Sequence, residues 1–254
     1  MLDRIEHGPI LELRLARPPV NALAPDLVRA LREAIDSAPR QGYRGVLLSG
    51  REGVFSGGLD VPQLMQLDRE GMASFWADFC GLMGAVACSP IPTAAAITGH
   101  SPAGGTVVAM WCDYRVMAEG NYRIGLNETQ VGLAIPPMIV DGFKRLVGAH
   151  RGERLVAEGR LVDAAEACAI GLVDELTATG EVVGRALQWL QRHLALPQHA
   201  FLANRRVARA DLGRLFESED LLAAESFVEG WFSEPTQMAL QALLEQLQSR
   251  RQKA

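Results

Sequence analysis

The chain has 254 residues and 27.5 kDa, enough for one large α/β domain with an appendage or for two modest domains, and one core with an extension is the expectation. With 48% hydrophobic and 22% charged residues it has an ordinary globular composition, and no apolar run reaches the ~18 residues that span a bilayer. A net charge of -5 without blocks of like charge excludes the electrostatic footprint of a nucleic-acid binder, which leaves small molecules or copies of the same chain as partners.

The N-terminal stretch MLDRIEHGPILELRLA carries no basic-then-apolar signal, so a cytoplasmic location is expected. Within it ILELRLA (10 to 16) alternates apolar and polar residues as a half-buried strand does. The loop ARPPVNALAPD follows, and PDLVRALREAIDSA (25 to 38) then has apolar residues at helical spacing with Pro25 in the first turn. YRGVLLSG (43 to 50) is a strand ending in glycine. REGVFSGGLDVPQLM (51 to 65) gives a Gly-Gly loop with Asp60 as N-cap and Pro62 just inside a helix. IPTAAAIT (91 to 98) is another strand, followed by GHSPAGG and by TVVAMWC, a helix too apolar for the surface; DYRVMA (113 to 118) is again a strand. In DAAEACAIGLVDEL a helix stops at Gly171 and a strand begins. From Glu181 onward only amphipathic helices follow. The chain is therefore divided near residue 196, into a core of alternating strands and helices (1–196) and a helical region (197–254) whose apolar faces, Trp231 and Phe232 included, pack on the core or on another subunit.

Cys80, Cys88, Cys112 and Cys168 form no C-x-x-C pair and read as buried thiols, and the histidines show no metal-like spacing, so no metal is expected. GHSPA (99 to 103) approaches a G-x-S-x-G nucleophile elbow, but the residue after Ser101 is Pro102, which has no N–H to offer an oxyanion. The pairs Gly57-Gly58 and Gly104-Gly105 are more informative, since each brings bare backbone N–H groups close to a ligand, and the second opens a helix. Two such donors on one carbonyl oxygen form an oxyanion hole, with each donor contributing about 3 to 4 kcal/mol. Glu128 stands among Ile124, Leu126, Val131, Leu133 and Ile135. A carboxylate there loses hydration, so its pKa rises toward neutrality, where a group both takes and returns protons. Its other reading is a loop residue or a helix-starting carboxylate paired with an arginine.

Taken in order, PPVNAL (18 to 23), FSGGLD (55 to 60), SPAGG (101 to 105), CDYR (112 to 115), IGLNETQVG (124 to 132) and RLVDAAEACAIGLVDEL (160 to 176) resemble the enoyl-CoA hydratase/isomerase (crotonase) family over essentially the whole chain. Within that family the motifs PPVN, PAGG, CDYR and GLNETQ are most similar to the Δ3,Δ2-enoyl-CoA isomerases of mitochondrial type. The resemblance implies a crotonase (ClpP-like) α/β spiral of repeated ββα units with a C-terminal helical region for oligomerisation or active-site cover, assembled as a homotrimer or homohexamer. It implies an acyl-CoA thioester as substrate, coenzyme A being part of that substrate rather than a cofactor. Carried over by position, the oxyanion hole is the N–H of Leu59 and of Gly104, and Glu128 is the proton carrier. Pro19, Val20 and Ala22 lie along the acyl-CoA, with Ser56, Gly57, Gly58 and Asp60 lining the pantetheine and acyl path and Asn127 positioning the substrate. Gly57 departs from the alanine common in this loop and Thr98 from a frequent asparagine; the sequence does not decide which arginines meet the CoA phosphates, Arg17 and Arg51 being candidates by location alone.

Val107 discriminates between activities. Hydratases of the family carry a second glutamate at this position and use two carboxylates to activate water, which valine cannot do. The resemblance thus implies isomerisation of 3-enoyl-CoA to 2-enoyl-CoA by a single glutamate in fatty-acid β-oxidation. A hydratase remains the alternative, with Asp60 or Glu119 as substitute acid, and so does a non-catalytic acyl-CoA binder.

Overall fold

The structure, a computed structural model, describes residues 1–217 and 224–252. In chain order its elements are β1 (Leu2–His7), β2 (Ile10–Leu15), α1 (Pro25–Ser37), β3 (Gly45–Ser49), β4 (Gly53–Val54), α2 (Val61–Leu64), α3 (Arg69–Ala87), β5 (Thr93–Ile97), β6 (Gly99–Pro102), α4 (Gly104–Ala109), β7 (Tyr114–Ala118) and β8 (Arg123–Gly125). A 3-10 turn (Glu128–Val131) leads to α5 (Pro137–Val147), α6 (Ala149–Glu158), β9 (Val162–Asp163), α7 (Ala164–Ala169), β10 (Glu175–Thr177), α8 (Val182–Leu194), α9 (Gln198–Ala208), α10 (Ala210–Glu217), α11 (Ala224–Trp231) and α12 (Glu234–Gln252).

Two sheets organise the chain. The larger has the order β1-β2-β3-β5-β7-β10, parallel except for the β1–β2 hairpin, and the smaller runs β4-β6-β8-β9. The pattern repeats: β3, β5 and β7 enter the larger sheet, the chain crosses into β4, β6 and β8 of the smaller one, and a helix follows each time. This is the α/β spiral of ββα units. Strands β3, β5 and β7 are buried at every residue, as parallel strands covered on both faces are. On one face Ile10, Leu47, Ala94, Val116 and Ala118 pack under α8; on the other Leu11, Leu13, Val46 and Ala95 join the main core with α1, α3 and α4.

One strand departs from its sequence pattern. The alternation of ILELRL predicts a half-buried β2, yet five of its six residues are buried, Glu12 among them. The reason is chemical: Ser49 Oγ donates to the Glu12 carboxylate at 2.7 Å, and His7 and Arg14 pair with it at 2.7 and 2.9 Å. Burial pushes the Glu12 carboxyl up, but these three partners outweigh it and hold the group below the usual glutamate range.

α8 belongs to the sheet rather than to the helical tail, and α9 begins at Gln198. The tail is tied to the core by Asp113, which Arg205 grips at 2.7 and 2.8 Å while Arg209 approaches at 3.3 Å. Trp231 is buried and Trp76 of α3 stacks on Phe227 with centroids 3.8 Å apart, so α11 finds its cover on the same chain, whereas Val207 of α9 and Met238 of α12 stay exposed. Of the helix expected around DLLAAESFVEGWF, residues 220–223 lie outside the described residues.

Candidate active site

The loop FSGGLD is laid down on the segment that precedes α1. Gly57 N–H donates to Val20 O at 2.7 Å, Leu23 N–H to Gly58 O at 2.8 Å and Asp60 N–H to Leu23 O at 3.2 Å. Asn21, fully buried, holds both pieces. Its side chain donates to Phe55 O at 3.1 Å and accepts from Arg17 N–H at 2.9 Å, and its carbonyl accepts from Ser56 Oγ at 2.8 Å. At the far end the Asp60 side chain caps α2 by accepting from Gln63 N–H at 3.1 Å.

Against this loop stands the turn that opens α4. Gly58 has φ +86°, and a Cβ there would come within 3.2 Å of Pro102 O and 3.3 Å of Gly104 N, so the close approach of the two loops demands glycine. A Cβ at Gly104 would likewise stand 3.3 Å from Leu59 N. Ala103 carries φ 49°, a conformation costing a non-glycine residue about 1 to 3 kcal/mol, and its N–H is held by Gly125 O at 2.8 Å. Neither Leu59 N–H nor Gly104 N–H has an acceptor among the described residues.

These loops border a cavity of about 510 Å³. Pro19, Val20, Ala22, Gly57, Leu59, Asp60, Asn127 and Glu128 line it, with Pro102 and Ala103 just before Gly104. Ser56 and Gly58 do not: Ser56 is buried beneath the loop, where its hydroxyl supports Asn21 and Gly58. Gly57 leaves room that Val20 takes up, since a methyl there would meet Val20 Cγ2 at 2.9 Å. Thr98 is buried between the sheets, its Oγ1 directed at Val54 O at 3.5 Å.

Glu128 heads the 3-10 turn. Its Oε2 is buried without a hydrogen-bond partner, and burial pushes the carboxyl up to about 7, only partly opposed by its own backbone N–H. Among the described residues no arginine pairs with it. The cation of the cavity, Arg17, is taken by Asp60 at 2.6 Å and by Gln63 and Ala22 O. Arg17 is thus neutralised in place rather than free for a phosphate, and Arg51 donates to Pro19 O at 2.7 Å.

Asp60 and Glu128 are the carboxylates lining this cavity among the described residues, and Asp60 is committed twice over, to its helix cap and to Arg17. Val107 is 1% exposed in the main core, and Glu119 is exposed beyond the end of β7, away from the cavity. The cavity therefore presents one carboxylate of raised pKa, with Leu59 in its wall and Gly104 directly behind Ala103.

The family model described as Enoyl-CoA hydratase/isomerase matches residues 6–252. The chain belongs to this family. It is 33% identical to human mitochondrial enoyl-CoA delta isomerase 1 over 239 residues, 92% of this chain and 79% of that one. It is 36% identical to a probable enoyl-CoA hydratase, echA17, of Mycolicibacterium paratuberculosis, over 84% of this chain and 82% of the other. Among solved structures it is similar to the human mitochondrial delta3-delta2-enoyl-CoA isomerase, with a TM-score of 0.92, 30% identity and 98% of both chains covered. As a member of the hydratase/isomerase family the chain is an enzyme of the crotonase fold.

Residues that the motifs did not mark also shape the cavity. Leu133 and Leu243 line it, and Leu133 is shared with a second, smaller apolar chamber of about 210 Å³ walled by Trp76, Ile135, Phe227 and Trp231. Asn21 was legible as a polar residue inside PPVNAL, but Leu243 comes from α12 and has no local signal.

Proposed function

We propose that this enzyme shifts the double bond of a 3-enoyl-CoA to the 2-position. The observation that carries the reading is the solitary carboxylate: Glu128 is unpaired and titrates near neutrality, while the other carboxylate of the cavity is locked to Arg17. In the proposed step the Glu128 carboxylate takes a proton from C2, and the electron pair of that C–H bond moves through the conjugated system onto the thioester oxygen. The resulting dienolate oxygen is held by the N–H groups of Leu59 and Gly104. Protonated Glu128 then returns its proton to C4, the thioester carbonyl re-forms, and the double bond lies between C2 and C3. Atoms and charge balance without water.

Asn127 borders the reacting carbons beside Glu128, and Pro19, Val20 and Ala22 flank the thioester arm. Fatty-acid β-oxidation is the proposed context, and a homotrimer or homohexamer the proposed assembly. The similarity to a probable hydratase keeps hydration of 2-enoyl-CoA as a second reading. Absorbance assays with 3-enoyl-CoA and with 2-enoyl-CoA decide between them: conversion of the first without hydration of the second is expected. Hydration of 2-enoyl-CoA at a comparable rate overturns the isomerase reading, and binding without either reaction identifies a non-catalytic acyl-CoA binder.

A further inference from the structure

The turn that carries Glu128 is held from two sides. On one, Thr129 Oγ1 donates to Val156 O at 2.8 Å and Gln130 Nε2 to Glu158 O at 3.2 Å, both at the end of α6. On the other stands α12. Thr236, 8% exposed, donates its hydroxyl to Gly132 O at 3.0 Å. Gly132 is the left-handed residue that ends the turn, with φ +75°, and a Cβ added to it would overlap the Ala239 methyl one helical turn beyond Thr236. Leu133 N–H, next in the chain, returns to Glu128 O at 2.9 Å. One helical turn further, Leu243 of α12 lines the cavity itself.

We infer that α12 is part of the acid–base apparatus, and that Thr236 is a positioning residue which fixes the Glu128 turn through Gly132 O and keeps water from the carboxylate. Three facts converge on this: one hydrogen bond to the end of the turn, one steric seat that only glycine allows, and one apolar wall residue in the cavity, all on the same face of one helix at i, i+3 and i+7. The inference rests on the proposed proton-carrying role of Glu128.

Other charges do not explain the environment of this carboxyl. Arg17 and Asp60 across the cavity are paired with each other. At the end of α6, Arg154, Glu158 and Arg160 pair among themselves and with Glu166. On α12, Glu234 and Glu245 are exposed. What remains is water exclusion, and the elements that exclude water include α12.

The test is the titration of Glu128 itself, followed by carbon NMR of glutamate carboxyls and assigned by its disappearance in Glu128→Gln. It is compared in the full-length wild type, Thr236→Val and Thr236→Ser. Thr236→Val keeps the shape and removes the hydroxyl; it is expected to move the Glu128 titration down by about one unit or more toward the ordinary glutamate range. In the same variant kcat for the double-bond shift is expected to fall about tenfold to a hundredfold with KM little changed. Thr236→Ser retains the donor and restores both. A Thr236→Val protein that is folded and titrates like wild type overturns the inference, since the contact would then be merely structural. Should that variant fail to fold, Ala239→Leu pushes α12 away from Gly132, and an unchanged titration there overturns the inference equally. Because the titration is read without turnover, a wild type inactive on 3-enoyl-CoA would refute the proposed function while leaving this measurement intact.

Discussion

Replacing Gly104 with alanine isolates the oxyanion site from the rest of the fold. Gly104 has no left-handed φ, so its backbone accepts alanine without torsional strain. The added methyl would lie 3.0 Å from Leu23 Cδ1, 3.3 Å from Leu59 N and 3.4 Å from Gly58 C. Leu23 Cδ1 is the end of a flexible side chain and can give way; the Leu59 amide is backbone and cannot. Overpacking of this kind costs about 1 to 3 kcal/mol of stability, a few degrees of Tm for a domain of this size. The larger effect is expected on chemistry, because the methyl crowds the Leu59 amide that the proposed mechanism uses. Losing one oxyanion donor lowers kcat by about 10²- to 10³-fold, equivalent to about 2.7 to 4 kcal/mol of transition-state stabilisation. Ground-state binding makes little use of a dienolate contact, so KM should change far less. Steady-state kinetics on 3-enoyl-CoA together with a melting curve separate the two effects. A folded Gly104→Ala enzyme with kcat within a few-fold of wild type would show that Leu59 and Gly104 do not hold the developing oxyanion.

Activity should rise with pH through about 7 as Glu128 becomes the carboxylate that accepts the C2 proton, and kcat/KM measured from pH 5 to 9 tests this. Stability runs the other way. A carboxyl raised from 4.5 to about 7 binds more protons folded than unfolded, so it destabilises the fold increasingly as pH climbs through that window. Glu128→Gln should therefore be more stable than wild type at pH 8, by about 3 kcal/mol at most, and lose that advantage near pH 4; equal melting curves at both pH values would contradict the burial argument. Asn21→Ala leaves Arg17 N–H and Phe55 O without their partner, at a cost of about 1 to 3 kcal/mol for each buried group left unpaired, and should lower kcat as the Leu59 loop loosens; denaturant unfolding alongside kinetics checks both. Asp113→Ala strands Arg205 and Arg209 on the underside of the tail and should cost about 3 to 5 kcal/mol, with faster amide exchange in α9; a change under 1 kcal/mol would mean the clasp is not what docks the tail.

Much of the core could be read directly because its signals are local. GVLLS, TAAAI and YRVMA are short apolar runs bounded by turns, Pro25 marks the start of α1, and Asp60 caps α2 as its spacing predicts. α3 is not legible in the same way, because it is apolar on several faces, packed against α1 on one side and α11 on another, so no clean periodic stripe marks it. Glu12 misled for the opposite reason. Its alternating pattern was real, but its burial depends on Ser49, 37 residues away, and on the His7 and Arg14 side chains. At the site the motifs brought the two glycine loops and Glu128 to one cavity. They assigned Ser56 to the substrate path, whereas its hydroxyl is spent on Asn21 O beneath the loop. Thr236, Ala239 and Leu243 left no mark at all, since their importance lies in contacts with residues more than a hundred positions earlier.

The central claim is that one carboxyl group carries the proton from C2 to C4. Its most direct test is turnover of saturating 3-enoyl-CoA by Glu128→Gln, with thioester binding measured on the same preparation. The account predicts retained binding and a rate lowered by about 10²- to 10⁴-fold, the usual contribution of a positioned acid–base group. A Glu128→Gln enzyme that binds and still turns over within a few-fold of wild type would contradict it.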